Sequence, residues 1–579
     1  MTMLTKWGAA LDRSCPLPEY PRPQLRRESF YNLNGVWDYA VTPSGDEPKV
    51  WDGEIVVPFS PEAPLSGAAR GPAKDEYLHY RRGFTLPEGF QKSRVLLHFG
   101  AVDQIAEVFV NGVSAAKHSG GYWPFSADIT SLLREGENIL RVTVRDNADD
   151  PTFAYGKQRY KRGGMWYTAQ SGIWQTVWLE SVPEVYVKSL RITPEFDEAR
   201  VRIELETALE SSAAITCDVR AADGSFVAGS WAKGGVCVVP LPGFRAWTPD
   251  DPYLYTLDIT CGEDRVESYF AMRKFSYVEL GGHKVFGLNN APLFHNGLLD
   301  QGYYPDGLLT PPSDEAMVND IETMKRCGFN MLRKHIKIEP LRWYYHCDRL
   351  GMIVWQDMVS GGQPYSFLHV SALPTLGKVD LPDQDAKPYG RSGVLSRARF
   401  RREMADTVRL LYNCPCIALW TVFNEGWGQF DALDMANELK KLDPTRFIDH
   451  ASGWQDQGYE EMKSRHIYFR PVKLKNDGRA LALTEYGGYI LAVDGHRWTD
   501  KVFGYRICRD SAALAHDYEK LMLGQVLPHI RKEGLTAAVY TQITDVEEEL
   551  NGLMTYDREV LKIPEETLRE INAALRFDA

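Results

Sequence analysis

The sequence lacks the features that would tie it to a disulfide framework, a zinc site or a membrane. Its nine cysteines are odd in number and widely scattered, without the paired spacing of a disulfide-rich domain or a zinc ribbon. No segment is apolar over the length that a bilayer requires, and residues 1–16 contain no long apolar run after a basic start. We therefore expect reduced cysteines, a cytoplasmic location and no membrane partner.

Charge of one sign is not concentrated in any part of the chain. The 78 acidic and 66 basic residues are interspersed and give a formal net charge of -12, which argues against nucleic acid as a partner. The spacings H-x-x-H and H-E-x-x-H are absent, so His335, His466 and the nearby acids are not expected to bind a metal. The sequence predicts no cofactor.

The 579 residues are 44% hydrophobic, which is enough for several packed cores, and their patterning changes along the chain. Residues 1–182 contain alternating strand-like runs and the hairpin dipeptide Asn111-Gly112, and residues 183–275 repeat the pattern with shorter runs. These blocks predict a β-sandwich followed by a smaller, immunoglobulin-like β-sandwich. In residues 276–579 strands and helices alternate, which predicts a (β/α)8 TIM barrel.

The barrel block contains both periodic elements and one long connection. We expect helices over residues 314–328, 340–351, 398–412, 432–442 and 564–575, and strands over 329–333, 352–355, 417–423 and 480–484. The connection over 360–397 is rich in Gly, Pro and Ser. It is predicted to wall the acceptor side of a pocket, with disorder as the competing interpretation.

Two glutamates lie where short apolar, strand-like segments close. Glu425 follows the run that begins at Trp420, and Glu485 follows Leu483-Thr484. Catalytic groups of TIM barrels lie at the carboxyl ends of the strands, and cleavage of a glycosidic bond requires two carboxyl groups in different environments. Either glutamate alone would be interpreted as a solvated loop acid. Together they favour a glycosidase.

Several segments carry a family resemblance that spans essentially the whole chain. They are Tyr31–Trp37, Tyr80–Phe84, Val108–Gly112, Ser171–Val177, Tyr304–Gly307, Gly328–Arg333, Trp355–Asp357, Asn424-Glu425 and Thr484–Tyr486. On these residues the chain resembles glycoside hydrolase family 2, which holds β-galactosidases, β-glucuronidases and β-mannosidases. The resemblance implies that the first domain is a sugar-binding-like jelly roll and that the protein forms a dimer or larger homo-oligomer.

The same resemblance implies the roles of the central residues. Glu425 is expected to be the general acid/base, Asn424 to hydrogen-bond the sugar 2-hydroxyl, and Glu485 to be the nucleophile of a retaining exo-β-glycosidase. Other candidates for contact with a carbohydrate substrate lie mostly at predicted strand ends: Asp300, His335, Asp357, Trp427, Trp454, His466, Tyr468, Tyr486 and Asp545. Polar residues at such positions equally often close a loop or satisfy a buried partner.

Departures from the family pattern bear on the sugar. The chain contains no Asn-x-Lys, the motif that holds the sugar carboxylate in the family's β-glucuronidases. The basic string Arg333–Lys337 offers another carboxylate clamp, with surface charge or an internal ion pair as the alternative. In residues 538–545 no tryptophan floors the pocket, so Tyr540 or Gln542 would replace it and a furanose is an open alternative.

Because β-galactosidases are frequent in the family, a β-galactoside is placed first among the expected substrates. A β-hexuronide, either a glucuronide or a galacturonide, and a galactofuranoside or arabinofuranoside are the alternatives. An alternative of another class is a carbohydrate-binding protein without catalytic activity, against which the presence of both Glu425 and Glu485 argues.

Overall fold

The computed structural model describes residues 3–209, 214–375 and 380–577. As predicted, two β-sandwich regions precede a barrel of parallel strands. The domain boundaries at 182/183 and 275/276 stay a prediction. All nine cysteines are free thiols, and all except Cys15 are buried. In the described ranges, no helix combines the length and the apolar composition that a membrane span needs.

The first sandwich consists of a six-stranded and a four-stranded antiparallel sheet. The larger sheet contains, in spatial order, Gly53–Val57, Gly35–Thr42, Tyr77–Phe84, Asn138–Arg145, Ile105–Val110 and Val113–Ser119. The smaller contains Phe30–Asn32, Val177–Val182, Arg94–Phe99 and Phe125–Asp128. Asn111 and Gly112 both have positive φ, as the tight turn of the predicted hairpin requires. Alternate residues of both sheets, such as Trp37, Leu97 and Val142, form one buried core.

Short elements complete this region and link it to its neighbours. They are the helix Lys6–Ala9, the 3-10 turns Pro23–Leu25, Pro64–Ser66 and Thr130–Leu132, and the two-residue strands Val102–Asp103, Gln158–Arg159, Tyr167–Thr168 and Gly172–Ile173. The pair Gln158–Arg159 and Tyr167–Thr168 runs parallel. This pair organises the segment that reaches the barrel mouth.

The second sandwich is smaller and also antiparallel. One sheet contains Val187–Glu195, Arg200–Thr207 and Val236–Pro240, and the other contains Phe226–Trp231, Ile215–Arg220, Tyr255–Cys261 and Asp264–Phe270. A three-stranded sheet of Phe275–Leu280, His283–Leu288 and Ala291–Pro292 follows. Its residue Phe286 stacks on Phe447, with ring centroids 4.3 Å apart, and its amide donates to Thr536. Because both partners lie at strand starts, this sheet covers the amino-terminal end of the barrel.

We number the eight barrel strands β1–β8: His295–Asp300, Met331–Lys334, Ile353–Asp357, Ile417–Thr421, Phe447–Asp449, Met462–Ile467, Ala480–Gly487 and Leu535–Thr541. The sheet runs in the order β5-β4-β3-β2-β1-β8-β7-β6 with parallel pairing. The Ser464 hydroxyl of β6 donates to Asp449 of β5 at 2.9 Å, so side chains join the two edge strands.

Helices cover the outside of the barrel. They are Asp314–Arg326, Leu341–Leu350, Val394–Leu411, Ala432–Leu442, Ser511–Leu521, Leu527–Glu533 and Glu565–Ala573, with short pieces at Leu368–Ala372, Leu373–Thr375, and Met522–Val526. The five predicted helices form within a few residues of their expected ends, and Ser313 caps the first by accepting from the Ala316 amide. The loop after β7 contains two short paired strands, Tyr489–Ile490 and Arg506–Ile507.

Three details of the barrel differ from the expected elements. Strand β7 continues to Gly487, so Glu485 lies inside a strand and not after its end. Strand β8 ends at Thr541, and residues 542–545 form a loop. Strands β5 and β6 were not predicted, because β5 has three residues and β6 mixes polar with apolar side chains.

Candidate active site

The carboxyl ends of β2, β4, β6 and β7 bring two glutamates together. Glu485 is buried on β7, where the pairing with β8 shifts register between Leu483 and Tyr486. Such a shift breaks the strict alternation of side chains and re-aims one of them. The carboxylate accepts hydrogen bonds from the Arg333 guanidinium at 3.1 Å and from the Tyr468 hydroxyl at 2.6 Å.

These neighbours keep Glu485 ionised. Burial by itself would raise the pKa of this carboxyl, but His466 and Arg333 outweigh it and lower the pKa to about 2. The Tyr468 phenol stays protonated, because burial and the Glu485 charge raise its pKa well above the usual value. A protonated phenol and a guanidinium therefore hold a carboxylate that is charged at neutral pH.

Glu425 lies in a different environment, on the loop after β4. Its φ is +55°, a left-handed conformation that is unfavourable for a side chain with a Cβ. Two contacts fix this backbone: the Glu425 amide donates to the Ser452 carbonyl at 2.9 Å, and the Trp454 indole donates to the Glu425 carbonyl at 2.9 Å. The side chain is 23% exposed and meets His466 Nδ1 at 2.8 Å. This glutamate is accessible, whereas Glu485 is enclosed.

The two carboxylates and the intervening imidazole are close. One donor atom each from Glu425, His466 and Glu485 lie within 4.8 Å of one another. Two carboxylates and an imidazole are also a donor set that a divalent metal ion accepts. The arrangement can therefore flank a sugar carbon with two carboxyl groups or coordinate a cation.

Arg333 of β2 connects the site to its support. Its guanidinium binds Asp357 through two hydrogen bonds of 3.0 Å and donates to the Asn424 side-chain oxygen at 2.8 Å. Burial would raise the pKa of Asp357, but Arg333 and the hydrogen bond from His335 lower it to about 2. Both Asp357 and His335 are buried, and their contact measures 2.8 Å. Asp357 thus orients two cationic or polar groups beneath the pocket.

The structure brings most of the predicted site residues together. Asn424, His335, Asp357, His466, Tyr468, Trp427 and Trp454 surround the two glutamates or their direct partners. For three others the structure shows partners outside this set. Asp300 binds Lys334 at 2.6 Å, Asp545 binds Lys562 at 2.6 Å, and the Tyr486 hydroxyl points to the Met522 sulfur, 3.1 Å away.

The basic string Arg333–Lys337 forms internal ion pairs. Lys334 binds Glu339 at 2.8 Å in addition to Asp300, and Lys337 donates to the carbonyls of Gly302 and Leu309. All three cationic side chains of the string are buried. The carboxylate clamp expected as one possibility is therefore replaced by the internal pairing named as its alternative.

Sequence reasoning missed several site residues. Arg333 was singled out only as part of the basic string and of a resemblance segment, and its contacts with Glu485, Asp357 and Asn424 were not foreseen. Tyr505 stacks on Tyr468 with ring centroids 3.9 Å apart, and the Thr541 hydroxyl lies 2.9 Å from the Tyr468 hydroxyl. Trp166 reaches the site from the first sandwich and meets Trp427 at 5.1 Å. Nothing in their local sequence patterns marks these residues.

The predicted acceptor wall over 360–397 lies partly outside the described residues, which exclude 376–379. Its described part contacts the Glu425 loop, because the Gly428 amide donates to the Tyr389 carbonyl at 2.8 Å. Burial raises the pKa of the Tyr365 phenol, and the nearby charge of Glu425 raises it further. This segment thus borders the more exposed glutamate.

Three family models match consecutive parts of the chain. They are glycosyl hydrolases family 2, sugar binding domain, over residues 63–183; glycosyl hydrolases family 2 over residues 185–273; and glycosyl hydrolases family 2, TIM barrel domain, over residues 311–473. Together they cover well over half of the sequence. The chain belongs to glycosyl hydrolase family 2.

Three relatives illustrate how this chain compares with individual family 2 proteins. It is 25% identical to the beta-galactosidase of Thermoanaerobacter pseudethanolicus over 63% of its own length, but spans only 47% of that protein, about half of this curated relative. It is 22% identical to the beta-glucuronidase of Paenibacillus borealis, with 82% of this chain and 85% of that one covered. The solved beta-glucuronidase of an uncultured Clostridium species has the same fold, with a TM-score of 0.74, 18% identity, and coverage of 95% and 98%.

Proposed function

We propose that this family 2 protein is a retaining exo-β-glycosidase that removes terminal sugars in two displacement steps. The observation that carries the proposal is the pair of glutamates in unequal environments, with donor atoms within 4.8 Å of each other. Retaining glycosidases hold their two carboxyl groups about 5–5.5 Å apart, whereas inverting ones need about 6.5–9.5 Å to admit a water. The short separation supports retention.

In the first step Glu485 attacks the anomeric carbon of the sugar while the bond to the leaving oxygen breaks. Glu425 gives its proton to that oxygen, so that an alcohol leaves and a covalent glycosyl-enzyme remains. In the second step Glu425, now a carboxylate, takes a proton from water, and the hydroxide oxygen displaces Glu485. The buried, ionised state of Glu485 and the exposure of Glu425 support this division of roles.

Asn424 is the proposed partner of the sugar 2-hydroxyl. Its side-chain oxygen already accepts from Arg333 at 2.8 Å. Because that bond fixes the amide orientation, the amide nitrogen is left to donate to the sugar. Hydrogen bonds to the 2-hydroxyl that strengthen in the transition state contribute several kcal/mol in glycosidases.

A β-galactoside remains the first-ranked substrate on family grounds, with a β-hexuronide or a furanoside as alternatives. The relatives support both pyranoside classes, because they include proteins named beta-galactosidase and beta-glucuronidase. The hexuronide is further supported by coverage, since the Paenibacillus borealis beta-glucuronidase matches over 85% of its length.

The decisive experiment is hydrolysis of a panel of nitrophenyl glycosides by wild type, Glu485→Gln and Glu438→Gln. The panel includes β-galactopyranoside, β-glucuronide, β-galacturonide, β-galactofuranoside, α-arabinofuranoside, β-glucoside and β-mannoside. We expect wild type to cleave one class, Glu485→Gln to lose at least about 10⁴-fold in kcat/KM, and Glu438→Gln, a change at the surface of a barrel helix, to behave as wild type.

Two outcomes would contradict the proposal. Wild type that binds sugars in calorimetry but cleaves none would indicate the non-catalytic carbohydrate-binding protein. Activity that disappears with a chelator and returns with a divalent metal would indicate a metal-dependent hydrolase built on the donors Glu425, His466 and Glu485. A cytoplasmic location and a dimeric or larger assembly stay predictions.

A further inference from the structure

Residues 153–168 extend from the first sandwich to the carboxyl-terminal end of the barrel strands, which we call the barrel mouth. The amides of Tyr155 and Gly156 donate to the Ser360 carbonyl in the loop after β3, at 3.1 and 3.0 Å. At its other end, the Thr168 amide donates to Glu547 at 2.8 Å in the loop after β8. We call residues 153–168 the mouth segment. Its backbone amides thus anchor it to the loops after β3 and β8.

Gly156 allows the mouth segment to approach the loop after β2. Its φ is +63°, and a Cβ at this position would lie 2.9 Å from the Ile336 carbonyl oxygen. The next residue, Lys157, is therefore placed beside the end of β2, close to His335. The Tyr167 hydroxyl of the mouth segment hydrogen-bonds Glu549 after β8. Lys157 thus lies between the loops that follow β2 and β8.

Aromatic contacts place the Lys157 ammonium on the pocket side. It lies 5.5 Å from the centre of the Trp166 ring. Trp166 packs edge-on against Trp427, which follows Glu425 by two residues, at 5.1 Å. Burial lowers the pKa of His335 and raises that of Glu549, and the charge of Lys157 is a smaller contribution that acts on both pKa values in the lowering direction. The ammonium is therefore close to groups that themselves lie near Glu485.

Lys157 differs from the other cations around the pocket in its pairing. Arg333 is paired with Asp357 and Glu485, Arg159 lies 3.6 Å from Asp149, and Arg162 lies 3.6 Å from Glu547. Lys157 as a residue is half-buried, and within ranges 3–209, 214–375 and 380–577 its ammonium makes no hydrogen bond or salt bridge. Because the protein does not use the hydrogen bonds of this ammonium, a substrate carboxylate could accept them.

A second donor faces the same region. The Trp427 indole nitrogen is buried and has no hydrogen-bond partner among the described residues. An indole N–H can only donate. The Trp427 indole could therefore bind an acceptor oxygen of a ligand, because no described residue supplies one. Lys157 and Trp427, joined through Trp166, thus supply a cation and a neutral donor of the kinds that bind an oxygen-rich, anionic sugar.

We propose that Lys157 binds the carboxylate of an acidic sugar and makes the pocket specific for β-hexuronides. The inference rests on the proposed glycosidase function and selects among its substrate classes. Lys157 would form a charge-assisted hydrogen bond with the carboxylate, and such bonds are roughly twice as strong as those to a neutral hydroxyl. The cationic side chains of the basic string Arg333–Lys337 already bind acids or carbonyls of the protein. The cation proposed to select the acidic sugar therefore comes from the first sandwich.

The test compares matched substrates that differ only in the acid group: β-galacturonide with β-galactoside, and β-glucuronide with β-glucoside, all as nitrophenyl glycosides. The variants are Lys157→Met, which keeps the length of the side chain without its charge, and Lys157→Arg, which keeps the charge. Lys161→Met is the matched control, because Lys161 is exposed on the same segment. Thermal unfolding of each variant verifies folding.

We expect wild type to prefer one uronide over its neutral partner. In Lys157→Met the uronide-to-neutral ratio of kcat/KM should fall about 10- to 100-fold, as for loss of a hydrogen bond to a charged group. Lys157→Arg should recover part of the ratio, and Lys161→Met should leave it unchanged. An equal loss on both members of a pair, or a wild-type preference for the neutral sugar, would overturn the proposal.

Failure of the proposed function gives a different result. If no glycoside in the panel is cleaved, the binding of free galacturonate, glucuronate and galactose is measured by calorimetry. Binding of a uronate that Lys157→Met weakens about 10-fold or more would still support the carboxylate site. Equal binding of uronate and galactose, or no dependence on Lys157, would refute it.

Discussion

Carboxyl groups in the barrel site and carboxyl groups in the first sandwich have pKa values that are shifted in opposite directions. In the barrel, the pKa of Asp357 and that of Glu485 are lowered to about 2. In the first sandwich, burial raises the pKa of Glu62 to about 7 and raises the pKa values of Asp103 and Asp146 as well. Glu62 is partly exposed, but Asp103 and Asp146 are as buried as the two barrel acids, so burial alone does not decide the charge.

The difference lies in the cations nearby. Arg333 contacts both barrel carboxylates. In the sandwich, Glu62 receives its hydrogen bonds from the Ser171 amide and hydroxyl, and both Asp146 carboxylate oxygens lack a partner among the described residues. In the barrel, the buried acids are kept ionised by a cation that the fold buries beside them. The ionised nucleophile site is thus built by β2 as much as by β7.

Removing the cation should make the barrel site resemble the sandwich. In Arg333→Gln we expect kcat/KM to fall about 10²–10³-fold, because breaking a buried ion pair costs about 3–5 kcal/mol. The Glu485 pKa should rise, so the acidic limb of the kcat/KM profile should move to higher pH. The pH dependence of kcat/KM for wild type and variant measures both effects.

Arg446→Gln is the matched control for Arg333→Gln. Arg446 is also fully buried and pairs with Asp443 at 2.7 Å, but it binds the carbonyl at the start of β4, at the opposite end of the barrel. We expect this variant to lower the unfolding temperature without moving the acidic limb. A shift of the limb in both variants would mean that general destabilisation, and not the lost charge, explains the first result.

The sandwich acids should give the protein a second pH dependence of opposite sign. Because the folded pKa of Glu62 is raised from 4.5 to about 7, its contribution to stability is complete below pH 4.5 and is lost as the pH rises to 7. Asp357, with a pKa lowered from 3.8 to about 2, contributes above pH 3.8 and loses this as the pH falls towards 2. The free energy of unfolding should therefore decline both as the pH rises towards 7 and as it falls towards 2.

Glu62→Gln should flatten the alkaline side of this profile. The amide carries no charge to desolvate and can still accept from the Ser171 amide and donate to its hydroxyl. We expect the variant to exceed wild type in unfolding free energy by about 1–3 kcal/mol at pH 8 and to match it more closely at pH 5. Denaturant unfolding at both pH values measures this, with exposed Glu135→Gln as the control. Equal differences at both pH values would contradict the assignment.

The smallest expected effect concerns the neutral donor to Glu485. Tyr468→Phe removes the 2.6 Å hydrogen bond but leaves Arg333 in place. We expect kcat to fall about 10-fold, since one hydrogen bond to a charged group contributes about 1.5–3 kcal/mol. Tyr459→Phe, on the loop between β5 and β6, is the control. A loss as large as that of Arg333→Gln would show that the phenol matters as much as the guanidinium.

The success of prediction varied with how local the responsible interactions are. The hairpin at Asn111-Gly112 and the helix capped by Ser313 formed as expected, because turn geometry and capping depend on neighbouring residues. The family resemblance pointed to Glu425 and Glu485, which the fold does bring together. Strands β5 and β6 escaped prediction, because their pairing partners, and not their own composition, make them strands.

The sequence by itself determined the three-part architecture and the two central glutamates, since hydrophobic periodicity and short motifs are written along the chain. Only the tertiary structure decided the partners of the charges. It paired the basic string of β2 with internal acids and gave Asp300, Tyr486 and Asp545 partners other than the glutamates. It also brought Lys157 from the first sandwich close to Trp166 and His335. The physical reason is that an ion pair depends on distance in space, whatever the separation along the chain.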